Sequence, residues 1–221
     1  MSREEIEIKC KDIVKGAFEA ALEQVPVVNF FVSAVGKVKS GVLQRKYDSW
    51  QEMVGERLAT LEKAVFDTLG ENETFATTLL KTTELAAKSN AKKMELLANS
   101  VKYTATNEIN EDYIIIFLNC IDGYTISHFH LLRYFNNPKA YYASSKEYFT
   151  TSPMSLYNDT HPRSTREYRL LDIIAKQLYN DGFLNTGDLH TNTTMSGALA
   201  QRTTDMGRKF IEFFGLNDVE L

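Results

Sequence analysis

The chain has 221 residues, a net charge of −4, 43% hydrophobic and 24% charged residues, which fits one large or two small globular domains with a sizeable core. Residues 1–160 carry 18 Lys and Arg against 21 Asp and Glu, and residues 161–221 carry 7 against 8, so neither part has the basic excess of a strong sequence-independent nucleic-acid binder. No stretch reaches the ~18 apolar residues of a spanning helix. The acidic start Met1-Ser-Arg-Glu-Glu5 is unlike a signal peptide, and Cys10 and Cys120 read as reduced, buried thiols, so the expectation is a cytoplasmic protein.

Ile6, Ile13, Ala17 and Val25 recur at helical spacing and predict a helix over 3–25. The most apolar run, Val25–Gly36, follows, with Pro26 near its start and Lys37, Lys39, Arg45 and Lys46 after it. It reads in two ways. It is either the hydrophobic corner of a helix bundle or a membrane-touching element. In the second reading Phe30 and Phe31 insert, and Lys37, Lys39, Arg45 and Lys46 meet anionic headgroups. The corner reading is preferred, because Val28, Phe31, Val35, Val38 and Val42 open an apolar stripe. After a one-residue shift beside Gly41, the stripe runs on through Leu43, Tyr47, Trp50, Val54, Leu58, Leu61, Val65 and Leu69. One long helix, or two collinear ones kinked at Gly41 and stopped at Gly70, is predicted.

Asn72 is placed to cap a third helix through about Lys88, with Phe75, Leu79, Leu80 and Leu85 apolar. Ser89 or Asn90 caps a fourth carrying Met94, Leu97, Val101 and Tyr103. Tyr113-Ile-Ile-Ile-Phe-Leu118 is apolar almost all round and predicts a fully buried central helix over about 111–122. Three consecutive isoleucines also suit a strand locally. Thr125 caps a sixth helix ending before Pro138 with Leu131, Leu132 and Phe135 inward. Residues 137–163, rich in Tyr and Ser and punctuated by Pro138, Pro153 and Pro162, read as a connector. In it Tyr141, Tyr142, Tyr148, Phe149 and Tyr157 pin the segment to its domain.

Ser164-Thr-Arg-Glu167 is a capping box opening a helix that carries Leu170, Leu171, Ile174 and Leu178 and ends at Gly182. Phe183-Leu184 predicts a strand, Ala198-Leu-Ala200 its return partner, and a last helix runs from Thr203 to Phe214, stopped by Gly215. The fold class expected is mainly α. An N-terminal multi-helix bundle with a long helix occupies 1–137, a connector 138–162 and a small α+β module 163–221.

Tyr179-Asn-Asp-Gly182-Phe-Leu184, followed by Thr204-Asp-Met-Gly207-Arg-Lys-Phe210, resembles the second half of a winged-helix domain over about residues 163–215. The resemblance implies a recognition-type helix and a wing, with Arg163, Arg166, Arg169, Lys176 and Arg202 as candidate contacts to nucleic acid or to a partner. Glu167, Asp172 and Asp181 dilute that positive charge, which favours protein docking over DNA. Residues 10–140 resemble a helical domain of uncharacterised bacterial proteins, some linked to phage defence or abortive infection. The match rests on Val25-Pro-Val-Val28, the charged stretch Gln44–Lys63, Lys93-Met-Glu-Leu-Leu-Ala-Asn-Ser100 and Ile121-Asp-Gly-Tyr-Thr-Ile-Ser-His128.

No phosphate-loop, dinucleotide-binding, His-Glu-x-x-His or nucleophile-elbow motif occurs, so no enzyme is expected and no cofactor or small molecule is inferred. His128 and His130 sit two apart on a predicted helix, where their side chains diverge, and read as structural or surface residues rather than metal ligands. The expected function is that of a non-enzymatic bacterial interaction protein, docking or self-associating within a phage-defence or stress system. A membrane-active effector using Val25–Gly36 and a DNA-binding regulator are the alternatives.

Overall fold

The computed structural model describes residues 41–142, 150–161 and 165–220, together with Ile8 and Asp12. The predicted helix over 3–25, the Val25–Gly36 run and the aromatics Tyr148 and Phe149 otherwise lie outside the described residues. The described chain is mainly helical. Among the described residues only two isolated antiparallel bridges, Thr151 with Thr193 and Leu184 with Thr203, represent β-structure. Two compact units form, one comprising residues 1–122 with Phe213–Gly215, the other 123–212 with 216–221. That division differs from the expected boundaries at 137 and 162.

In the first unit, helix α1 spans Gly41–Leu58. The apolar stripe does bury Trp50, Val54, Leu58, Leu61 and Leu69, but one helix does not carry it. Thr60 Oγ1 donates to the Arg57 carbonyl at 2.7 Å. The last turn tightens as Thr60 N donates to Arg57 O and Leu61 N to Leu58 O. A short helix α2, Lys63–Thr68, and a 3-10 turn at Leu69–Glu71 follow.

Helix α3, Glu73–Lys88, and helix α4, Ala91–Thr106, start where the asparagines predict. The Asn72 side chain accepts Phe75 N at 2.9 Å and the Asn90 side chain accepts Lys93 N at 3.0 Å. The buried face of α3 differs from the expected one. Phe75 and Leu79 are inside with Thr78, Thr82, Thr83 and Ala86, whereas Leu80 and Leu85 are half-buried. Thr82 and Thr83 give slim, β-branched packing because their hydroxyls turn back on the helix, whereas the buried Thr78 hydroxyl has no partner among the described residues. Thr82 donates to Thr78 O at 2.7 Å and Thr83 to Leu79 O at 2.7 Å. Trp50 Nε1 then donates to Thr83 Oγ1 at 3.1 Å in the core.

Helix α5, Glu111–Gly123, is a helix and not a strand, but it is not buried all round. Ile114, Phe117, Leu118 and Ile121 are inside, while Ile116 is exposed. Consecutive isoleucines point 100° apart on a helix, so one neighbouring face cannot cover all three. Two lysines hold the end of α5. Lys88 Nζ lies 2.7 Å from Asp122 Oδ2, and Lys93 Nζ donates to the Asp122 carbonyl at 3.0 Å. Phe213 joins this unit's core through Tyr103 and Phe117, each with ring centroids 5.5 Å away.

The second unit contains helices α6 (Ile126–Asn136), α7 (Pro138–Tyr141), α8 (Pro153–Thr160), α9 (Thr165–Asn180), α10 (Met195–Ala198) and α11 (Asp205–Phe213, with Phe213 counted in the first unit). Residues 150–161 contribute to its core and are not a mere connector, since Met154, Leu156 and Tyr157 are fully buried. Tyr134, Tyr141, Tyr157 and His161 form one aromatic cluster, with His161 stacked on Tyr157 at 4.5 Å. A second gathers Tyr124, Phe129, Phe183 and Phe210, and the Tyr124 hydroxyl donates to Asp181 Oδ2 at 2.6 Å.

Helix α9 ends in a Schellman turn at Gly182, whose φ of 80° favours a residue without Cβ. Phe183 N donates to Leu178 O at 2.8 Å and Gly182 N to Tyr179 O at 3.0 Å. The chain then pairs Leu184 with Thr203, not with the predicted return strand at 198–200, because residues 195–198 form α10. Asn185 N donates to Arg202 O at 2.9 Å and Thr204 N to Phe183 O at 3.0 Å. Thr204 caps α11 by accepting Gly207 N at 3.0 Å.

Candidate functional site

Helix α9 is strongly two-faced, and its outer side stays uncovered among the described residues. At 100° per residue, Leu171, Ile174, Ala175 and Leu178 fall on one side, and all four are buried. The opposite side carries Arg169, Ile173, Lys176 and Asn180 at spacings of four, three and four, all exposed. Ile173 is 64% exposed and Leu170, one turn before it, is 47% exposed, while Tyr179, also 47% exposed, lies farther round the helix. Leu170 was expected inside. The cluster Leu170-Leu-Asp-Ile-Ile174 has more apolar residues than one arc can bury, and that excess was the overlooked signal for Ile173 as well.

Arg169 and Lys176 engage no hydrogen bond or ion pair among the described residues, so both charges stay available one turn either side of Ile173. Asp172, between them, is engaged. Its Oδ1 lies 2.6 Å from His190 Nε2, which ties the loop after Gly182 back to α9. That loop carries its own scaffold. Asp188 accepts the Thr191 hydroxyl at 2.6 Å and His190 N at 2.9 Å. Thr186 Oγ1 accepts Asp188 N at 3.1 Å.

The Thr191 hydroxyl bond first, and the His190 N–H second, hold the Asp188 carboxyl below its ordinary value of 3.8. A depressed carboxyl supports the folded loop above the ordinary value, and that support is lost as pH falls through the folded one. Amide exchange protection at His190 should therefore be steady from neutral pH down to about 4 and collapse below it. Protection that already decays between pH 7 and 5, as measured by hydrogen exchange, contradicts this scaffold.

The other predicted contact residues are scattered. Arg163 lies outside the described residues, and nothing describes the Arg166 side chain within α9. Arg202 faces its own loop. It donates to Ala200 O at 2.7 Å and Gly197 O at 2.9 Å and is half-buried, which lowers its pKa. Of the candidate membrane contacts, Phe30, Phe31, Lys37 and Lys39 lie outside the described residues. Arg45 is exposed on α1. Lys46 is half-buried, and its Nζ donates to Ala87 O at 3.2 Å and Ser89 O at 2.9 Å, closing the C-terminal end of α3. No helix among the described residues is long and apolar enough to cross a membrane.

No family model, curated protein or solved structure matches the chain. The site therefore rests on its own chemistry.

His128 is 5% exposed and has a structural partner at each ring nitrogen. Thr125 N–H donates to Nδ1 at 3.0 Å, which leaves the proton on Nε2, donated to Gln177 Oε1 at 3.1 Å. It takes the place that Glu or Gln holds in a capping box, and it stacks on Tyr124 at 4.5 Å. Among the described residues no group of three or more His, Cys, Asp or Glu is arranged to hold a metal ion. Cys120 is half-buried on α5, and Cys10 lies outside the described residues.

Proposed function

We propose that the chain is a non-enzymatic interaction protein of a bacterial cell, acting within a phage-defence or stress system. Its C-terminal winged-helix-like module docks a protein partner through the outward face of α9. The observation that carries this reading is Ile173, an apolar side chain 64% exposed between Arg169 and Lys176, neither of which has a partner among the described residues. An apolar centre rimmed by charge is the anatomy of a protein contact. The two cations complement a partner segment that is apolar along one edge and acidic on either side of it.

The winged-helix-like part of the reading is supported by the sequence α9, Schellman turn, antiparallel bridge Leu184–Thr203 and capped α11. Arg202 N also donates to Phe135 O at 2.9 Å, which ties the segment at the bridge to the last turn of α6. The bacterial defence or stress setting rests on the resemblance of residues 10–140. The DNA-binding alternative draws on the same two cations. It is less favoured because Asp172 sits between them and Arg202 points to its own loop. The membrane alternative rests on Val25–Gly36, outside the described residues.

A photo-crosslinker installed in place of Ile173, with the full chain expressed in its native cell, should trap one defined protein. The purified partner should then bind the wild-type chain and lose roughly thirtyfold in affinity with Ile173→Asp, about 2 kcal/mol for a central contact. Equal affinity for wild type and Ile173→Asp, or salt-sensitive DNA binding that disappears with Arg169→Ala in place of a protein crosslink, rejects the docking reading.

A further inference from the structure

The end of α9 and the loop leaving Gly182 enclose an open cleft of about 390 Å³. Lys176, Tyr179 and Asn180 line it from the helix, and residues 185–188 from the loop. Its wall is built before any ligand arrives. A Cβ at Gly187 would come 3.3 Å from Tyr179 Cδ1, so the loop backbone is seated against that ring. Thr186, Thr191 and His190 brace Asp188, and Asp172 braces His190. Three polar groups on the wall remain unused. The Lys176 ammonium and the side-chain amides of Asn180 and Asn185 engage nothing among the described residues.

One compact cation beside two amides that can donate N–H is the equipment for a single oxyanion. We propose that this cleft is the specificity pocket of the α9 docking face and receives one carboxylate from the partner, an aspartate or glutamate side chain. The proposal rests on the docking reading and deepens it. The carboxylate sits on Lys176, accepts from Asn180 and Asn185, and lays its methylene stem along Tyr179. Asp188 on the same wall disfavours a doubly charged phosphate, so a singly charged carboxylate is the better match. Lys176 is shared between the cleft and the Ile173 face. A partner helix laid along Ile173 would therefore reach the cleft with an acidic residue on the next turn.

The test uses the full-length chain, isotopically labelled, and N-acetyl-glutamate N-methylamide as the probe. N-acetyl-glutamine N-methylamide and inorganic phosphate are the comparison probes. The glutamate probe should shift the Gly187 amide and the Asn180 and Asn185 side-chain amides saturably. Lys176→Met and the glutamine probe should each weaken binding about fivefold. The proposal is overturned by no saturable shift up to the probe's solubility limit, by glutamine binding as well as glutamate, or by phosphate binding more tightly than the carboxylate. Because the probe is not the cellular partner, failure of the docking reading at Ile173 does not alter this titration. Conversely, a crosslinked partner whose affinity is unchanged by Lys176→Met removes the pocket and leaves the docking face intact.

Discussion

Gly207→Ala is expected to unfold the second unit or to destabilise it by roughly 3 kcal/mol or more. A Cβ at this position would fall well inside contact distance of the Phe183 carbonyl oxygen and 3.1 and 3.2 Å from Phe183 C and Cα. These are backbone atoms, and they cannot rotate away as a side chain would. The same carbonyl accepts Thr204 N at 3.0 Å, while Thr204 Oγ1 accepts Gly207 N and donates to Gly182 O. Moving α11 outward to admit the methyl would therefore break its own cap and the Leu184–Thr203 pairing together. Gly55→Ala in α1 is the control, because a Cβ there meets nothing within 4 Å. It should be neutral or stabilising by up to about 1 kcal/mol. Urea unfolding followed by far-UV circular dichroism separates the two, and equal midpoints for both variants would refute the close approach at Gly207.

Trp50→Ala should cost the first unit about 3–5 kcal/mol. The indole is 1% exposed, and truncation leaves a cavity where α1 meets α3 and α4. It also leaves the Thr83 hydroxyl without the indole N–H that it accepts at 3.1 Å. Trp50→Phe keeps most of the apolar area and loses that hydrogen bond, so its cost should be nearer 1 kcal/mol. If Trp50→Phe proves as damaging as Trp50→Ala in chemical denaturation, the polar contact outweighs the packing and this assignment of the core is wrong.

The sequence was most legible where the determining chemistry is local. Asn72 and Asn90 announce their helices because a side-chain oxygen two or three residues ahead of a free N–H needs no distant partner. Gly182 is legible for the same reason, since a Schellman turn demands a positive φ from one residue. What stayed hidden depends on neighbours. Hydropathy ranks Leu80 above Thr82, yet Thr82 is buried because its hydroxyl bonds within its own helix and its slim side chain fits the helix opposite. The stripe through Trp50, Leu58 and Leu69 reads as one helix because periodicity is blind to a break that keeps the phase. The return partner of Leu184 slid from 198–200 to 203, since residues 195–198 coil into a helix capped by Thr194.

The candidate site was half visible. Arg169 and Lys176 can be picked out by charge alone, but Arg202 belongs to the same list and points inward to Ala200 and Gly197. Ile173 and Leu170 look like core in the sequence, and their solvent position follows only from which arc of α9 the rest of its unit covers. A docking residue of this kind is found by counting more apolar side chains than a helix face can hide.

Trp50 has a practical corollary. It is the only tryptophan in the sequence, beside eleven tyrosines, and it lies in the first unit. Emission excited in the indole band therefore reports melting of that unit alone and is silent to the other. Circular dichroism averages over both. Coincident curves from the two signals would mean that the units melt as a single thermodynamic block. A fluorescence transition displaced from the dichroic one would give their separate stabilities from one unmodified sample, without adding a dye.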